Sequence, residues 1–132
     1  MSTNPRFEPK LHEAALALLQ SLVRENPGIK LAVVTSADGF EIAAHPAQPV
    51  TQRIAAMSSS LQALSEAIAK EAGLKDSRSL VVETESGTIV ILGIAVVPRL
   101  SLAVVASGEE ILGRLLWLAR NCSAELERTL GS

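Results

Sequence analysis

Aromatic residues and cysteine are scarce in this chain of 132 residues. Aromatic side chains make up 2% of it, namely Phe7, Phe40 and Trp117, and there is no tyrosine. Surfaces that stack nucleic-acid bases depend on such rings, so their scarcity argues against that kind of surface. Cys122 is the single cysteine. It excludes an internal disulfide and is ordinary in a reducing compartment.

A strong charge of one sign and long apolar runs are also missing. The net charge is −2 and the pI is about 5.7, so the chain lacks the basic footprint of a nucleic-acid-binding domain. Its apolar runs are interrupted before the roughly 18 residues that a membrane span needs. The N-terminus has no apolar stretch of the kind found in a signal peptide. We therefore predict a cytoplasmic protein that neither binds nucleic acid nor inserts into a membrane.

Apolar residues are plentiful enough for one hydrophobic core. They make up 48% of the chain, and the length is that of one domain. We expect a flexible N-terminal arm over residues 1–8 and a single domain over residues 9–130. A helix is predicted from Pro9 to the Asn26-Pro27-Gly28 stop. Its apolar stripe has helical spacing: Leu11, Ala14, Ala15, Leu18, Leu19, Leu22 and Val23.

Two short strand-like runs follow this helix. The segments IKLAVVTSA and FEIAAH flank Asp38-Gly39, which is the strongest short-range signal for a β-hairpin. A catalytic acid is the alternative role for Asp38, but an aspartate before glycine is typical of a turn. We therefore interpret Asp38 as the corner of a hairpin.

The longest helix is predicted over residues 50–72, ending at Gly73. Two rows of residues run along it at helical spacing, and the pattern predicts that both are buried. The row of large residues consists of Val50, Ile54, Met57, Leu61, Leu64 and Ile68. The row of small residues, which would let another backbone approach closely, consists of Ala56, Ser60, Ala63 and Ala67.

Three strands and a final helix complete the chain. SLVVETE, TIVILGIAVV and LSLAVVAS are joined by very short links, so neighbouring strands must be antiparallel. The middle strand is apolar on both sides, which indicates a sheet covered on both faces. Ser107 and Glu110 have the spacing of a capping box and predict the start of the last helix. The fold class is therefore α+β, with a five-stranded antiparallel sheet between helices in the order α-ββ-α-βββ-α.

The motifs of common enzymes and cofactor sites do not occur in the sequence. It contains no phosphate-binding loop, dinucleotide fingerprint, nucleophile elbow or zinc-protease motif. The two histidines, His12 and His45, stand on a helix and at a strand end. Cys122 lies on the apolar stripe of the last helix and is interpreted as a buried, unreactive thiol. We predict a protein that is not an enzyme and has no catalytic, metal or cofactor site.

Two features of the sequence allow more than one interpretation. Trp117 is displaced from the main stripe of the last helix, so it either lies exposed on a contact surface or widens the stripe. The serines at 58–60 are either phosphorylation sites or small residues for close helix packing, and packing accounts for Ser60 more simply.

Several stretches together resemble the Roadblock/LC7 family. They are NPGIKLAVVTSADGFEIAA, RIAAMSSSLQALSEAIAKEAG, LVVETESGTIVILGIA and LSLAVVASGEEILGRLL, the last containing Gly113. The resemblance spans roughly residues 10 to 128 and implies a profilin-like fold and a homodimer. In such a dimer the long helix would contact its mate through Ala56, Ser60, Ala63 and Ala67. An edge strand would pair with its mate through Leu80, Val82 and Thr84.

The resemblance also implies a function. Bacterial family members are similar to MglB-type regulators, which act on small Ras-like GTPases, so a GTPase is the implied partner and an activating role is one form of regulation. Arg53, Arg78 and Arg99 are candidate contacts with it. The alternatives are a scaffold subunit of a signalling complex without a GTPase and, less favoured, a small-ligand sensing domain.

Overall fold

The computed structural model describes residues 9–131, so the arm expected over residues 1–8 lies outside the described residues. Three helices and five strands follow in the predicted order α-ββ-α-βββ-α. The helices are α1 (Pro9–Glu25), α2 (Thr51–Glu71) and α3 (Leu112–Leu130). The strands are β1 (Ile29–Ser36), β2 (Glu41–His45), β3 (Ser79–Glu83), β4 (Gly87–Ile94) and β5 (Leu100–Ser107).

The five strands form one antiparallel sheet in the order β2-β1-β5-β4-β3. Helices α1 and α3 pack on one face of it and α2 packs on the other. Leu19 of α1, Leu115 of α3 and Leu102 of β5 are fully buried in the main core between the sheet and the helix pair. The predicted fold class is therefore confirmed, and β2 and β3 are the two edges of the sheet.

The hairpin between β1 and β2 turns at Asp38 and Gly39, as predicted. Gly39 has a φ of +90°, a conformation that glycine adopts without steric cost. The Ser36 hydroxyl donates to Asp38 Oδ1 at 2.7 Å and accepts the Phe40 amide at 3.0 Å. Asp38 thus belongs to the hydrogen-bonded turn.

The C-terminus of α2 is closed by Gly73. Its φ of +77° allows the Leu74 amide to reach Ala69 O at 2.8 Å and the Gly73 amide to reach Lys70 O at 3.0 Å. This pair of bonds is the Schellman motif. The predicted end of the long helix is therefore confirmed to within one residue.

The predicted start of the last helix is wrong. Ser107 is the final residue of β5, and α3 begins only at Leu112 without a side-chain cap. The Ser107 amide donates to Gly28 O at 2.8 Å, and the Glu110 carboxylate binds Arg114 Nη1 at 2.6 Å. The hydrogen bond to Gly28, which directly precedes β1, holds Ser107 in the sheet, so the capping box does not form.

Candidate interaction surface

Helix α2 turns most of its large apolar residues away from the sheet. The exposed fractions are 56% for Met57, 39% for Leu61, 58% for Leu64 and 67% for Ile68. The prediction that this row is buried is wrong for these four residues in the single chain, whereas Val50 and Ile54 of the same row are half-buried. The residues that α2 buries against the sheet are Thr51, Ala55 and Ser58, because the sheet contacts the opposite side of the helix.

The row of small residues lies beside this apolar row. Ala56, Ser60, Ala63 and Ala67 are all exposed, and the Ser60 hydroxyl donates back to Ala56 O at 3.3 Å within the helix. The two rows together form the outer face of α2, a name used here for Ala56, Met57, Ser60, Leu61, Ala63, Leu64, Ala67 and Ile68. An apolar surface of this kind on a water-exposed helix marks a contact site.

Strand β3 is the edge strand that follows α2 in the chain. Leu80 and Val82 are half-buried in β3, whereas Thr84 lies just beyond it. Thr84 is part of the turn to β4, where its amide donates to Gly87 O at 2.8 Å and its hydroxyl accepts the Gly87 amide at 3.0 Å. Two of the three predicted edge-strand residues therefore lie in the strand and the third closes the hairpin.

The backbone groups that β3 leaves free can be identified from its pairing. Hydrogen-bonded and non-hydrogen-bonded pairs alternate in an antiparallel ladder, and the Thr84–Gly87 bond sets the phase. Leu80 and Val82 accordingly bond to β4, whereas the amide and carbonyl of Val81 point away from the sheet. An unpaired edge of this kind is a template for another strand.

The three candidate arginines do not form one group. Arg53 and Arg78 are exposed, and neither makes an ion pair within residues 9–131. Arg99 binds Glu66 of α2, with 2.7 Å between Nη1 and Oε1. It therefore connects the loop before β5 to α2, a role that the sequence does not indicate.

An open cleft lies at the end of the sheet where β1 starts and β5 ends. Its volume is about 740 Å³. Ile89 and Val105 contribute apolar lining, Lys30 and Glu109 contribute opposite charges, and the other lining residues are mostly glycine, serine and threonine. No signal in the sequence pointed to this cleft.

Within the described part of the chain no cluster of three or more histidine, cysteine, aspartate or glutamate residues is suited to a metal ion. His12 instead contacts the Ile42 carbonyl through Nδ1 at 2.8 Å. Cys122 is buried, and burial, with a smaller effect of Glu125, raises its pKa from 9.0 to about 12.

Trp117, for which the sequence allows either an exposed or a packed position, is 61% exposed on α3. None of the helices described is both long and apolar enough to cross a membrane.

Solved structures with the same fold span nearly the whole chain. A Roadblock/LC7 domain from Streptomyces avermitilis is 24% identical, covers 89% of this chain and 98% of its own, and has a TM-score of 0.81. MglB from Myxococcus xanthus is 18% identical over 94% of this chain and 92% of its own, with a TM-score of 0.79. The gliding protein MglB from Thermus thermophilus is 21% identical over 93% of both chains, with a TM-score of 0.79.

Profilin IA from Acanthamoeba castellanii is a more distant neighbour, 15% identical over 84% of this chain and 94% of its own, with a TM-score of 0.64. A search of curated proteins gives no match. The family model described as Roadblock/LC7 domain matches residues 15–106, which extend from within α1 to within β5 and include the whole of α2. The chain belongs to the Roadblock/LC7 family.

Proposed function

We propose that this protein is a homodimeric binding module that regulates or scaffolds a small Ras-like GTPase. The observation that carries the proposal is the outer face of α2, on which Met57, Leu61, Leu64 and Ile68 are exposed together. The absence of recognised catalytic motifs is consistent with a binding role. A GTPase is proposed as the partner because the fold is similar to that of MglB-type regulators. We also propose that the protein is cytoplasmic.

The homodimer is supported by the position of two unpaired surfaces in the same chain. A two-fold contact is made by the same patch on both subunits, and both the outer face of α2 and the free edge of β3 suit such self-pairing. The small residues Ala56, Ala63 and Ala67 allow close approach of a second helix, while the neighbouring large residues supply the apolar area. Burial of that apolar area favours association, and the affinity is what remains after the entropic cost of joining two chains.

If β3 pairs with β3 of a second copy, one alignment of the two strands is more favourable than the adjacent alignments. When Val81 lies opposite Val81 of the second copy, Ser79 lies opposite Glu83, so every residue of β3 whose backbone faces outward has a partner. A register centred on Glu83 would place two carboxylates opposite each other, which is destabilising. We therefore expect the two-fold axis to pass beside Val81.

Light scattering on the wild type and on Ala63→Arg tests the homodimer. An arginine at the small-residue row should hold the two helices apart and give the mass of a monomer. Ala17→Arg is the matched control, since Ala17 is exposed on α1 and the same substitution there should leave the dimer intact. Dimers of unchanged mass for Ala63→Arg would contradict the proposed contact.

A pull-down with the tagged protein tests the GTPase. The native lysate is divided and supplied with a GTP analogue or with GDP, and recovered proteins are identified by mass spectrometry. Nucleotide-dependent recovery of a small GTPase supports regulation, and the hydrolysis rate of that GTPase with and without this protein then gives the sign. Recovery of a kinase or structural complex under both nucleotides, with no GTPase, would contradict the proposal and favour a plain scaffold.

Substitutions of the three arginines should have different effects on GTPase binding and on the hydrolysis rate. A regulator can act by ordering the switch loops of the GTPase or by supplying an arginine to the transition state. Arg53 and Arg78 are free to do so, whereas Arg99 is bound to Glu66. We expect Arg53→Ala or Arg78→Ala to weaken binding or stimulation, and Arg99→Ala to act mainly by loosening α2.

A further inference from the structure

Helix α2 is attached to its own sheet mainly by small and polar groups. The apolar cluster on its side of the sheet has four buried residues in the described chain, against nineteen in the cluster under α1 and α3. Of those four, α2 itself contributes only Ala55, with half-buried Ile54 beside it. Its other large apolar residues are on the outer face, so little of the hydrophobic stabilisation of α2 comes from its own sheet.

Polar contacts supply the rest of this attachment. The Ser101 hydroxyl donates to Gln62 Oε1, and the Ser59 hydroxyl donates to Ala37 O at 2.8 Å. The Arg99–Glu66 ion pair is substantially exposed. Exchange of such polar contacts for contacts with water costs little, since a typical hydrogen bond contributes about 1 kcal/mol net and an exposed ion pair about 0–1 kcal/mol.

The interface under α2 also contains an imperfect site. Thr35 is fully buried and no protein group forms a hydrogen bond with its Oγ1, which is the one such buried side-chain atom in the described chain. Alternation along β1 places Thr35 on the same face as Leu31 and Val33, which pack under α2, and its register partner is Ser101. A cavity of about 90 Å³ lined by Ser59, Gln62 and Ser101 lies nearby. A buried hydroxyl without a partner destabilises the surface that contains it.

We propose that α2 is a conditionally docked helix, which stays on its own sheet while a second copy of the chain covers its outer face and detaches locally when that face is uncovered. This inference rests on the proposed homodimer, because it takes a second copy of the chain as the molecule that covers the outer face. Any partner that competes for the outer face would then also change the order of α2. Segments with few buried apolar contacts open at a lower free energy than the core does, and α2 has this character whereas α1 and α3 do not.

Hydrogen exchange followed by mass spectrometry tests the proposal. The wild type is measured across a dilution series that crosses its dimer dissociation, and Leu64→Glu is measured beside it. Glutamate keeps the helix propensity high, and Leu64 is 58% exposed, so the fold of the single chain is not altered directly. In the monomer we expect amides of α2 to exchange at least about tenfold faster than those of α1 and α3. Ala17→Glu, on the exposed side of α1, is the matched control and should change neither mass nor exchange.

The outcomes separate this inference from the homodimer. A monomeric Leu64→Glu in which α2 exchanges as slowly as α1 overturns the inference and leaves the dimer standing. If the wild type is a monomer at every concentration, the homodimer is wrong and α2 is tested directly: fast exchange supports the inference, and slow exchange overturns it. If Leu64→Glu does not fold, the wild-type dilution series gives the same test without a substitution.

Thr35→Val in the Leu64→Glu chain provides a second test. It removes the hydroxyl without a partner while keeping the shape of the side chain, so α2 should exchange several-fold more slowly although the chain stays monomeric. Thr88→Val is the matched control, because alternation with Val90 and Leu92 places Thr88 on the opposite face of the sheet. Unchanged α2 exchange in Thr35→Val, or equal slowing in every element, would overturn the local account.

Discussion

Gly87 shows how a single residue limits what the sheet tolerates. It begins β4 where the backbone of β5 comes close, and an added Cβ would lie 2.3 Å from the Ala106 carbonyl oxygen. The obstacle is paired backbone, which cannot rotate away as a side chain can. The glycine is therefore required by the approach of the two strands.

We predict that Gly87→Ala destabilises the protein by about 1–3 kcal/mol, the usual range for overpacking. Gly113→Ala is the matched control, since nothing lies within 4 Å of an added Cβ there, and alanine in a helix is favoured over glycine by up to about 1 kcal/mol. The unfolding midpoint in urea measures both changes. A stability loss at Gly113 equal to that at Gly87 would contradict the explanation.

Ionisation of the Cys122 thiol should make the free energy of unfolding depend on pH. Its pKa is raised from 9.0 to about 12 in the folded chain by burial first and by the charge of Glu125 second. Above pH 9 the unfolded chain loses the thiol proton while the folded chain keeps it, so the free energy of unfolding falls between pH 9 and about 12. Below pH 9 the thiol has no effect on the pH dependence.

Urea unfolding at pH 8 and pH 10.5 checks this prediction for the wild type and for Cys122→Ala. The wild type should lose more stability between the two pH values than the variant does, although Cys122→Ala is less stable at both because of the smaller side chain. A thiol reagent should label the wild type only as it unfolds. Equal pH dependence in the two proteins would show that the thiol does not titrate as stated.

At the scale of the element, local pattern predicted the helices and strands, and pairing decided their ends. Gly73 closes α2 where predicted because the Schellman bonds lie within the chain's own turn. Ser107 has a good local signal for a helix cap, yet its amide bonds to Gly28 O from a segment distant in sequence. Helical spacing likewise identified the two rows of α2, but spacing alone does not show which side of a helix meets the sheet.

Pairing of β3 with a second copy can be tested with proline substitutions. Proline is tolerated at a sheet edge where its missing N–H faces outward, so Val81→Pro should leave the chain folded and prevent β3 from pairing with a second copy. Val82→Pro is the control, because its N–H bonds to β4 and its loss should unfold the sheet locally. Circular dichroism and light scattering check the two variants. A Val81→Pro protein that remains a dimer would show that β3 is not the pairing edge.

For the whole molecule, a monomer with this surface leaves much apolar area in water. If the outer face of α2 is covered in a homodimer, association stabilises the folded state and the melting temperature rises with protein concentration. We expect such a rise for the wild type over a hundredfold range of concentration, and none for Ala63→Arg. Scanning calorimetry at each concentration measures it, and a constant melting temperature for the wild type would contradict the homodimer.

The sequence by itself determined the order of elements, the single-sheet α+β architecture, the turn at Asp38-Gly39 and the family resemblance, because hydrophobic periodicity and turn chemistry are local properties. Tertiary structure alone decided that Leu61 and Leu64 face water, that Arg99 is bound to Glu66, that Thr35 lacks a hydrogen-bond partner and that Trp117 is exposed. Each of these depends on which distant segment lies opposite a given side chain. That juxtaposition follows from how the helices are oriented on the sheet, which no local pattern contains.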